Sequence, residues 1–226
     1  MLSDQQIERY SRQIILPQLG SRGQQRLLGA SVAVVGRDDF SAAAAVYLAA
    51  AGVGKVAAPP SAVAALAAVN PDCVCAPLPA SITRTAAVEI AGTSNAVLAC
   101  GACDDTCMLL NAACVAARTP LVWGQARGSI GRVAVLAGTD ANAPCYTCLL
   151  AHRPQERPPD EQTAALAEAT AAFSGMLQAT ETIKLLLGLH GTPVGRVLTY
   201  DGLAATVTTR HVARNPSCAT CGAPRA

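Results

Sequence analysis

SVAVVGRDDFSAAAAVYLAAAGVGKV, residues 31–56, is the stretch around which the chain is organised. Its first five residues are apolar and rich in β-branched side chains, and they lead into Gly36. Residues 41–51 carry no charge and are mostly alanine. The first pattern predicts a buried strand and the second a buried helix, with a tight turn between them. Strand, turn and helix in this order are the opening unit of a dinucleotide-binding type of fold.

The turn itself departs from a phosphate-binding loop. Such a loop carries repeated glycines, so that backbone N–H groups at the helix N-terminus can close on a phosphate. Here only Gly36 is present, and Arg37, Asp38, Asp39 and Phe40 follow it. The two carboxylates are expected to cap the helix and to repel a polyanionic nucleotide. The stretch therefore predicts a nucleotide-binding scaffold that has lost its nucleotide.

Composition narrows the class of protein. The chain has 226 residues, 51% of them hydrophobic, which suffices for one domain with a small appendage. A net charge of +2 gives no electrostatic case for binding nucleic acid or a membrane surface. The longest uncharged helical run, residues 40–54, is shorter than the roughly 20 residues that span a bilayer. The polar N-terminus excludes a signal peptide, so a cytoplasmic protein is expected, whose ten cysteines do not form disulfides.

Strands and helices alternate along residues 31–123, which favours a mostly parallel sheet. The expected fold is an α/β, Rossmann-like sheet flanked by helices, with an antiparallel C-terminal extension. We expect residues 1–30 to form a helical arm and residues 31–226 a single domain. The predicted helices are 4–26 (broken at Pro17), 41–51, 61–69 with Ser61 as N-cap, 83–91, 104–117 and 164–187. The predicted strands are 31–35, 73–78, 96–100, 120–123, 131–137, 195–200 and 204–212, and residues 153–162 are expected to be an exposed loop.

Two C-x-x-C pairs are the clearest chemical signal. Cys145 and Cys148 form the first pair, and Cys218 and Cys221 form the second. Together they offer four thiolates, which complete a closed tetrahedral zinc shell with no open coordination position. Such a shell is structural, and it predicts that the C-terminal tail is pinned to the loop after the strand at 131–137. The alternatives are two unrelated buried pairs or a redox dithiol.

A third group of cysteines allows two interpretations. Cys100, Cys103 and Cys107 surround the start of a predicted helix, and a thiol at a helix N-terminus has a lowered pKa. They form a reactive thiol or soft-metal site, or they are small apolar packing residues at a strand–helix junction.

Taken together, the chain resembles the ThiF/MoeB/HesA family, bacterial members of the ubiquitin-activating superfamily, over nearly its whole length. The segments that carry the resemblance are Arg9-Tyr10-Ser11-Arg12-Gln13-Ile14, the strand ending at Gly36, residues 48–54, Asn70-Pro71, Leu110-Asn111, residues 120–122, Gly131, the first cysteine pair, residues 175–184, Tyr200-Asp201, and residues 215–222 with the second cysteine pair. The resemblance implies a dimeric enzyme that uses ATP and magnesium to adenylate the C-terminal glycine of a ubiquitin-like sulfur carrier.

Several departures surround the nucleotide site of that family. Asp38, Asp39 and Ser41 replace three glycines of its loop. The segment 55–69 is short and has no acid, amide or arginine for ribose and phosphates, and Lys55 precedes its predicted strand. Ala102 stands where the family has its magnesium aspartate, with Asp104 and Asp105 only close by in sequence. The cysteine that some members carry before the long helix is also missing. ATP and magnesium are therefore not expected as cofactors, because adenylyl transfer depends on positioning and charge neutralisation.

Arg12 resembles the arginine that in this family reaches the ATP of the other subunit. Either Arg12 serves a partner's site in this way, or it pairs with a carboxylate of the N-terminal helix.

The leading hypothesis is a non-catalytic subunit or scaffold, in a homodimer or a heterodimer with an intact relative, that binds that relative or a ubiquitin-like sulfur carrier. Its vestigial loop retains Gly36. The alternative is an active adenylyltransferase that recruits Asp104 or Asp105 for magnesium and Arg37 or Arg127 for phosphate. A third hypothesis is a thiol or metal protein built on Cys100, Cys103 and Cys107.

Overall fold

The computed structural model describes residues 1–36, 38–136, 142–152, 161–189 and 194–222. Its centre is an eight-stranded sheet in the order β3-β2-β1-β4-β5-β6-β7-β8. The strands are β1 Ser31–Gly36, β2 Lys55–Ala58, β3 Val74–Pro77, β4 Ala96–Cys100, β5 Leu121–Arg127, β6 Ile130–Leu136, β7 Arg196–Asp201 and β8 Thr206–His211. In this spatial order, β3, β2, β1, β4 and β5 pair in parallel with their neighbours. The pairs β5–β6, β6–β7 and β7–β8 are antiparallel. The predicted α/β class with an antiparallel C-terminal extension is confirmed.

Ten helices are present in the described ranges. They are α1 Asp4–Arg9, α2 Ser11–Ile14, α3 Gly20–Leu28, α4 Asp38–Ala50, α5 Pro60–Val69, α6 Arg84–Thr93, α7 Asp104–Ala117, α8 Tyr146–Ala151, α9 Glu161–Ala164 and α10 Ala167–Leu187. One buried cluster that includes Leu48, Leu66 and Leu98 contains side chains of α4 and α5, and another that includes Leu110 and Trp123 contains side chains of α6 and α7. Over the described residues, no helix combines the length and apolar character needed to cross a membrane.

Most predicted elements agree with the structure to within a few residues, and three differ. Helix α5 begins at Pro60 and is preceded by Pro59, so Ser61 is not its N-cap; proline suits the first helical turn because it has no N–H to leave unpaired. The helix predicted before Pro17 is two helices, α1 and α2, with Tyr10 between them, whereas the helix predicted at 164–187 agrees with α10 apart from a start three residues later. Lys55 is the first residue of β2 and does not precede it. The loop predicted at 153–162 lies mostly outside the described residues.

Helix α10 is fitted to the sheet through a buried amide. Gln178 is fully buried, and its Nε2 donates hydrogen bonds to the carbonyl oxygens of Ala99 (3.2 Å) and Val122 (2.7 Å) on β4 and β5. A methyl group added at Gly124 would lie 2.6 Å from the Gln178 side chain. Farther along the helix, Gly175 lies against the backbone of Phe40. Both glycines therefore allow α10 to approach the strands and α4 closely.

The N-terminal arm is tied to the turn before β3. The Tyr10 side chain is 1% exposed, its hydroxyl donates to Asp72 Oδ2 (3.0 Å), and Asn70 Nδ2 donates to the Tyr10 hydroxyl (2.8 Å). Arg9 Nε forms an ion pair with Asp72 Oδ2 at 3.1 Å. Burial raises the pKa of the Tyr10 phenol, and the hydrogen bond from Asn70 offsets part of that rise. Arg9 and Tyr10 thus anchor the N-terminal arm to the turn before β3. The predicted division into an arm, 1–30, and one domain, 31–226, stays a prediction.

Candidate functional site

The topological switch point of the sheet lies between β1 and β4, where connections leave in opposite directions and α/β folds place their ligands. A cavity of about 690 Å³ opens there at the carboxyl ends of both strands. The described residues that line it are mainly apolar: Val35, Gly36, Pro59, Pro60, Leu78, Pro79, Ala80, Ser81, Ile82, Gly101, Ala102, Cys103 and Thr106. This cavity is the candidate site for a small ligand.

Gly36 is retained for a structural reason. Its φ is +151°, a conformation that favours glycine, and a side chain there would collide with the Cys100 backbone on the neighbouring strand. Its presence therefore does not indicate phosphate binding. The predicted capping by Asp38 and Asp39 cannot be compared with the structure, because Arg37 and the side chains of those two residues lie outside the described part of the chain.

Pro59 and Pro60, in the short segment 55–69 that follows α4, line one side of the cavity. Strand β2 ends at Ala58, and α5 begins two residues later at Pro60. Lys55 is exposed at the amino end of β2, whereas the cavity lies at the carboxyl ends of the strands. A basic group at that end of a parallel strand cannot reach a phosphate in the cavity.

Neither aspartate considered as a magnesium ligand lines the cavity. The Asp104 carboxylate accepts a hydrogen bond from the Tyr146 hydroxyl at 2.7 Å. Asp105 lines a groove between α6 and α7, beside Arg84 and Met108. Ala102, which stands at the family's magnesium position, does line the cavity.

The described lining does not fit ATP with magnesium. It contains no Asp, Glu, Lys, Arg, Asn or Gln, and its polar side chains are those of Ser81, Cys103 and Thr106. A triphosphate needs cationic or N–H partners to offset its charge once water is removed.

The three cysteines near this cavity are in different environments. Cys100 and Cys107 are fully buried, and burial raises the pKa of the Cys100 thiol. Both properties are those of a cysteine that packs in the core. Cys103 is exposed at the N-cap of α7, and its Sγ lies 3.3 Å from Thr106 Oγ1. The hydrogen bond with Thr106 lowers the pKa of the Cys103 thiol. In the described chain these three thiols do not form a metal-binding group.

A smaller cavity, of about 270 Å³, adjoins the first and shares Gly101 and Ala102 with it. Its polar lining consists of Gln125, Arg127 and Glu168. The Gln125 Oε1 atom is buried and has no hydrogen-bond partner there. Arg127 is among the residues predicted from the sequence, whereas Gln125 and Glu168 are not. The signal that could have identified Gln125 is its place near the carboxyl end of β5, which pairs in parallel with β4.

The four cysteines of the two C-x-x-C pairs do come together. All four are buried, and their sulfur atoms lie within 4.8 Å of one another. The Sγ–Sγ distances are 4.0 Å for Cys145–Cys148, 3.6 Å for Cys145–Cys218 and 3.6 Å for Cys148–Cys221. A tetrahedral ion with metal–sulfur bonds of about 2.3 Å requires edges of about 3.8 Å. The donor set therefore fits a metal ion, and such an ion would cross-link the C-terminal tail to α8.

Backbone and side-chain contacts support this cluster. Asn111 Oδ1 accepts a hydrogen bond from the Tyr146 N–H at 2.8 Å, which fixes the start of α8 beside the first pair. The Asn215 N–H points at Cys148 Sγ at 3.4 Å. Thr147 and Thr220, one from each pair, share a hydrogen bond of 2.8 Å. Such outer contacts orient the ligands of a metal centre.

Arg12 lies on α2 and is exposed. Within the described ranges it forms no ion pair with a carboxylate. Whether it serves a partner or an internal carboxylate stays a prediction.

Comparison with known proteins gives a consistent result. The sequence profile of the ThiF family matches residues 60–220. The chain is 34% identical to the sulfur carrier protein adenylyltransferase of Thermus thermophilus, over 96% of this chain and 92% of that protein. It is 32% identical to the sulfur carrier protein ThiS adenylyltransferase of Escherichia coli, over 100% of this chain and 99% of that protein. The latter alignment covers 253 positions, about 27 more than this chain has residues.

The chain is also 33% identical to the adenylyltransferase and sulfurtransferase MOCS3 of Drosophila ananassae, over 98% of this chain and 55% of that protein. It thus spans about half the length of its MOCS3 relatives. Among solved structures, E. coli MccB has a similar fold, with a TM-score of 0.75 and 15% identity over 95% of this chain and 72% of that chain.

Proposed function

Since this chain belongs to the ThiF family, we propose that it acts with a ubiquitin-like sulfur carrier protein as a subunit or scaffold that does not itself adenylate the carrier. The observation that carries this proposal is the cavity at the switch point, whose described lining has no charged or amide side chain. Adenylyl transfer requires groups that hold and neutralise the phosphates, so a lining of this kind removes most of the catalytic contribution.

The carrier is supported by the relatives. Two of them, similar over nearly their whole length, are named for adenylating a sulfur carrier protein. The exposed Arg12 on the anchored arm is the residue through which the family resemblance implies a dimer. We propose zinc as the metal because four thiolates in a closed tetrahedral shell are its preferred structural site. We place the protein in the cytoplasm, where thiolates are kept reduced and available for zinc.

The second candidate is an ATP-dependent adenylyltransferase of a sulfur carrier, and the relatives' named activities favour it over the non-catalytic subunit. This function would need phosphate-binding groups that the described lining lacks. Arg127, which lines the smaller adjoining cavity, and Arg37 are the cations that the sequence offers for it. A magnesium ligand would have to come from Asp104, whose carboxylate already bonds Tyr146, or from Asp105 in another groove.

The test is ATP–pyrophosphate exchange in the presence of a ubiquitin-like sulfur carrier from the same genome. We expect no exchange above background with the purified chain alone. The sulfur carrier protein ThiS adenylyltransferase of E. coli, with its own carrier, is the positive control. Exchange by the single chain would exclude the non-catalytic proposal and establish the second candidate.

A binding experiment with the carrier and with an intact ThiF-family enzyme tests whether the chain is a scaffold for either protein. We expect the chain to retain the carrier or an intact ThiF-family enzyme of the same genome in a pull-down, independently of ATP. The Arg12→Ala variant should still fold, as judged by circular dichroism, and should lower exchange by a co-purified intact enzyme if Arg12 serves the partner's site. Absence of any binding to either protein would contradict the proposal.

A further inference from the structure

Cys73 and Cys75 are a pair of thiols outside the four-cysteine cluster. Cys75 is the second residue of β3, the strand at one edge of the sheet, and Cys73 stands just before that strand. Residues two apart on an extended segment point to the same face. Accordingly the two Sγ atoms lie 3.9 Å apart. We propose that Cys73 and Cys75 form a second, two-thiolate site for a soft monovalent cation of the Cu(I) class.

The spacing of the sulfurs carries the proposal. With metal–sulfur bonds of about 2.3 Å, two sulfurs 3.9 Å apart subtend about 115° at a shared cation, without movement of the backbone. The same spacing, 3.6–4.0 Å, is found between the thiols of the four-cysteine cluster. Soft thiolate pairs select soft cations, and an S–metal–S angle of about 115° leaves a further coordination position open for an exogenous ligand, because an ion held by two ligands alone would need them nearly opposite each other.

A disulfide fits these two residues less well. Its sulfurs must approach to about 2.05 Å, and residues two apart on a strand have Cα atoms about 6.6 Å apart, close to the upper limit of disulfide geometry. A shared cation, in contrast, accepts the two sulfurs at their present separation.

Access to the site is also asymmetric. Cys75 is partly exposed at the sheet edge. Cys73 is 8% exposed and belongs to the buried cluster that also contains Leu66. A cation can therefore enter through Cys75 and be enclosed by Cys73. Buried packing cysteines such as Cys114 lack this open side.

The experiment is an anaerobic Cu(I) titration of the full metal-loaded chain against a chromophoric Cu(I) chelator, with zinc release followed in parallel. We expect one Cu(I) equivalent to bind before zinc is released. Cys73→Ser and Cys75→Ser should each weaken this binding at least about 100-fold, because even outer-shell partners of metal ligands are worth ~10–100-fold. Two controls are matched by exposure: Cys114→Ser for the buried thiol and Cys103→Ser for the accessible one. Both should bind Cu(I) as the unmodified chain does.

A second measurement does not depend on the folding of variants. A monosubstituted trivalent arsenical, R–As=O, condenses with two thiols to give one R–As(S–)₂ bridge and one water. Tryptic cleavage after Lys55 and Arg84 releases residues 56–84, which contain no other cysteine. We expect the bridged adduct on this peptide when the native protein is treated. The proposal is overturned if the first Cu(I) equivalent displaces zinc, if the pair variants bind as the controls do, or if the reduced protein's peptide is recovered two hydrogens lighter, as a disulfide.

Discussion

Gly124→Ala should destabilise the protein by about 2–4 kcal/mol through a single side chain, Gln178. The new methyl group would lie 2.6 Å from Gln178 Cδ and Oε1 and 2.9 Å from Nε2, which is too close for any of them. Gln178 is fully buried and cannot swing into solvent. Its displacement breaks the hydrogen bonds to Ala99 and Val122, each worth about 0.5–1.5 kcal/mol, and overpacking adds about 1–3 kcal/mol. The gain from replacing a strand glycine, about 0.5–1 kcal/mol, offsets part of this cost.

The assay is equilibrium unfolding in urea together with calorimetry. A loss of 2–4 kcal/mol corresponds to a Tm lower by about 5–15 °C for a domain of this size. Gly92→Ala is the matched control: nothing lies within 4 Å of its added methyl group, and alanine is favoured over glycine within a helix by about 1 kcal/mol. Gly92→Ala should therefore raise the Tm by about 2–4 °C.

A double-mutant cycle isolates the cause. In the Gln178→Ala background the amide is gone, so Gly124→Ala should cost less than about 0.5 kcal/mol. The reasoning is refuted if Gly124→Ala alone is as stable as the unmodified chain, or if its cost is the same with and without Gln178.

Three further predictions concern the metal cluster, the accessible thiol and the arm. Cys221→Ser should purify with no bound metal and unfold at a temperature that a chelator does not change, whereas Cys114→Ser should keep one metal ion per chain, as measured by elemental analysis. The alkylation rate of Cys103 should rise with pH to a midpoint below that of an ordinary thiol, because the hydrogen bond with Thr106 lowers the pKa of Cys103. Thr106→Val should move this midpoint upward and slow alkylation at pH 7. An unchanged pH profile in Thr106→Val would contradict this cause. Tyr10→Phe should cost about 1–3 kcal/mol, whereas Tyr47→Phe on the exposed face should cost almost nothing. Because the pKa of Tyr10 is raised in the folded state, its contribution is present below pH 10 and is lost as the pH rises through the folded value; Tyr10→Phe should remove this alkaline loss of stability.

Much of the fold follows from local pattern. The strand Ala96–Cys100 and the helix Asp104–Ala117 were predicted to the residue, because an uninterrupted apolar run and a long helical run with a charged start leave few alternatives. The predicted start of α5, Ser61, was wrong by one residue. Serine and proline are both favoured where helices begin, so the sequence does not select between them. The break at Tyr10 between α1 and α2 has neither glycine nor proline beside it, so the sequence pattern does not predict it.

The candidate site shows the same division. The prediction that the family's nucleotide-binding groups are missing depends on residue identity, because the methyl side chain of Ala102 offers magnesium no ligand atom. The four-cysteine cluster follows equally from two spaced pairs, which the structure brings together. Asp104 and Asp105 are close to Ala102 in sequence, but neither lines the cavity. One bonds Tyr146 and the other faces a different groove, because successive residues on a helix point in directions about 100° apart.

Residue types and spacing are thus sufficient for the α/β class and for the pairing of the two C-x-x-C motifs, since these depend on patterns within a few residues of one another. The enclosure of the cavity by Pro59 and Pro60, the structural reason for Gly36 and the nearness of the Cys73 and Cys75 sulfurs required the folded chain. They depend on strand register and side-chain direction, which arise only when distant segments pack against each other.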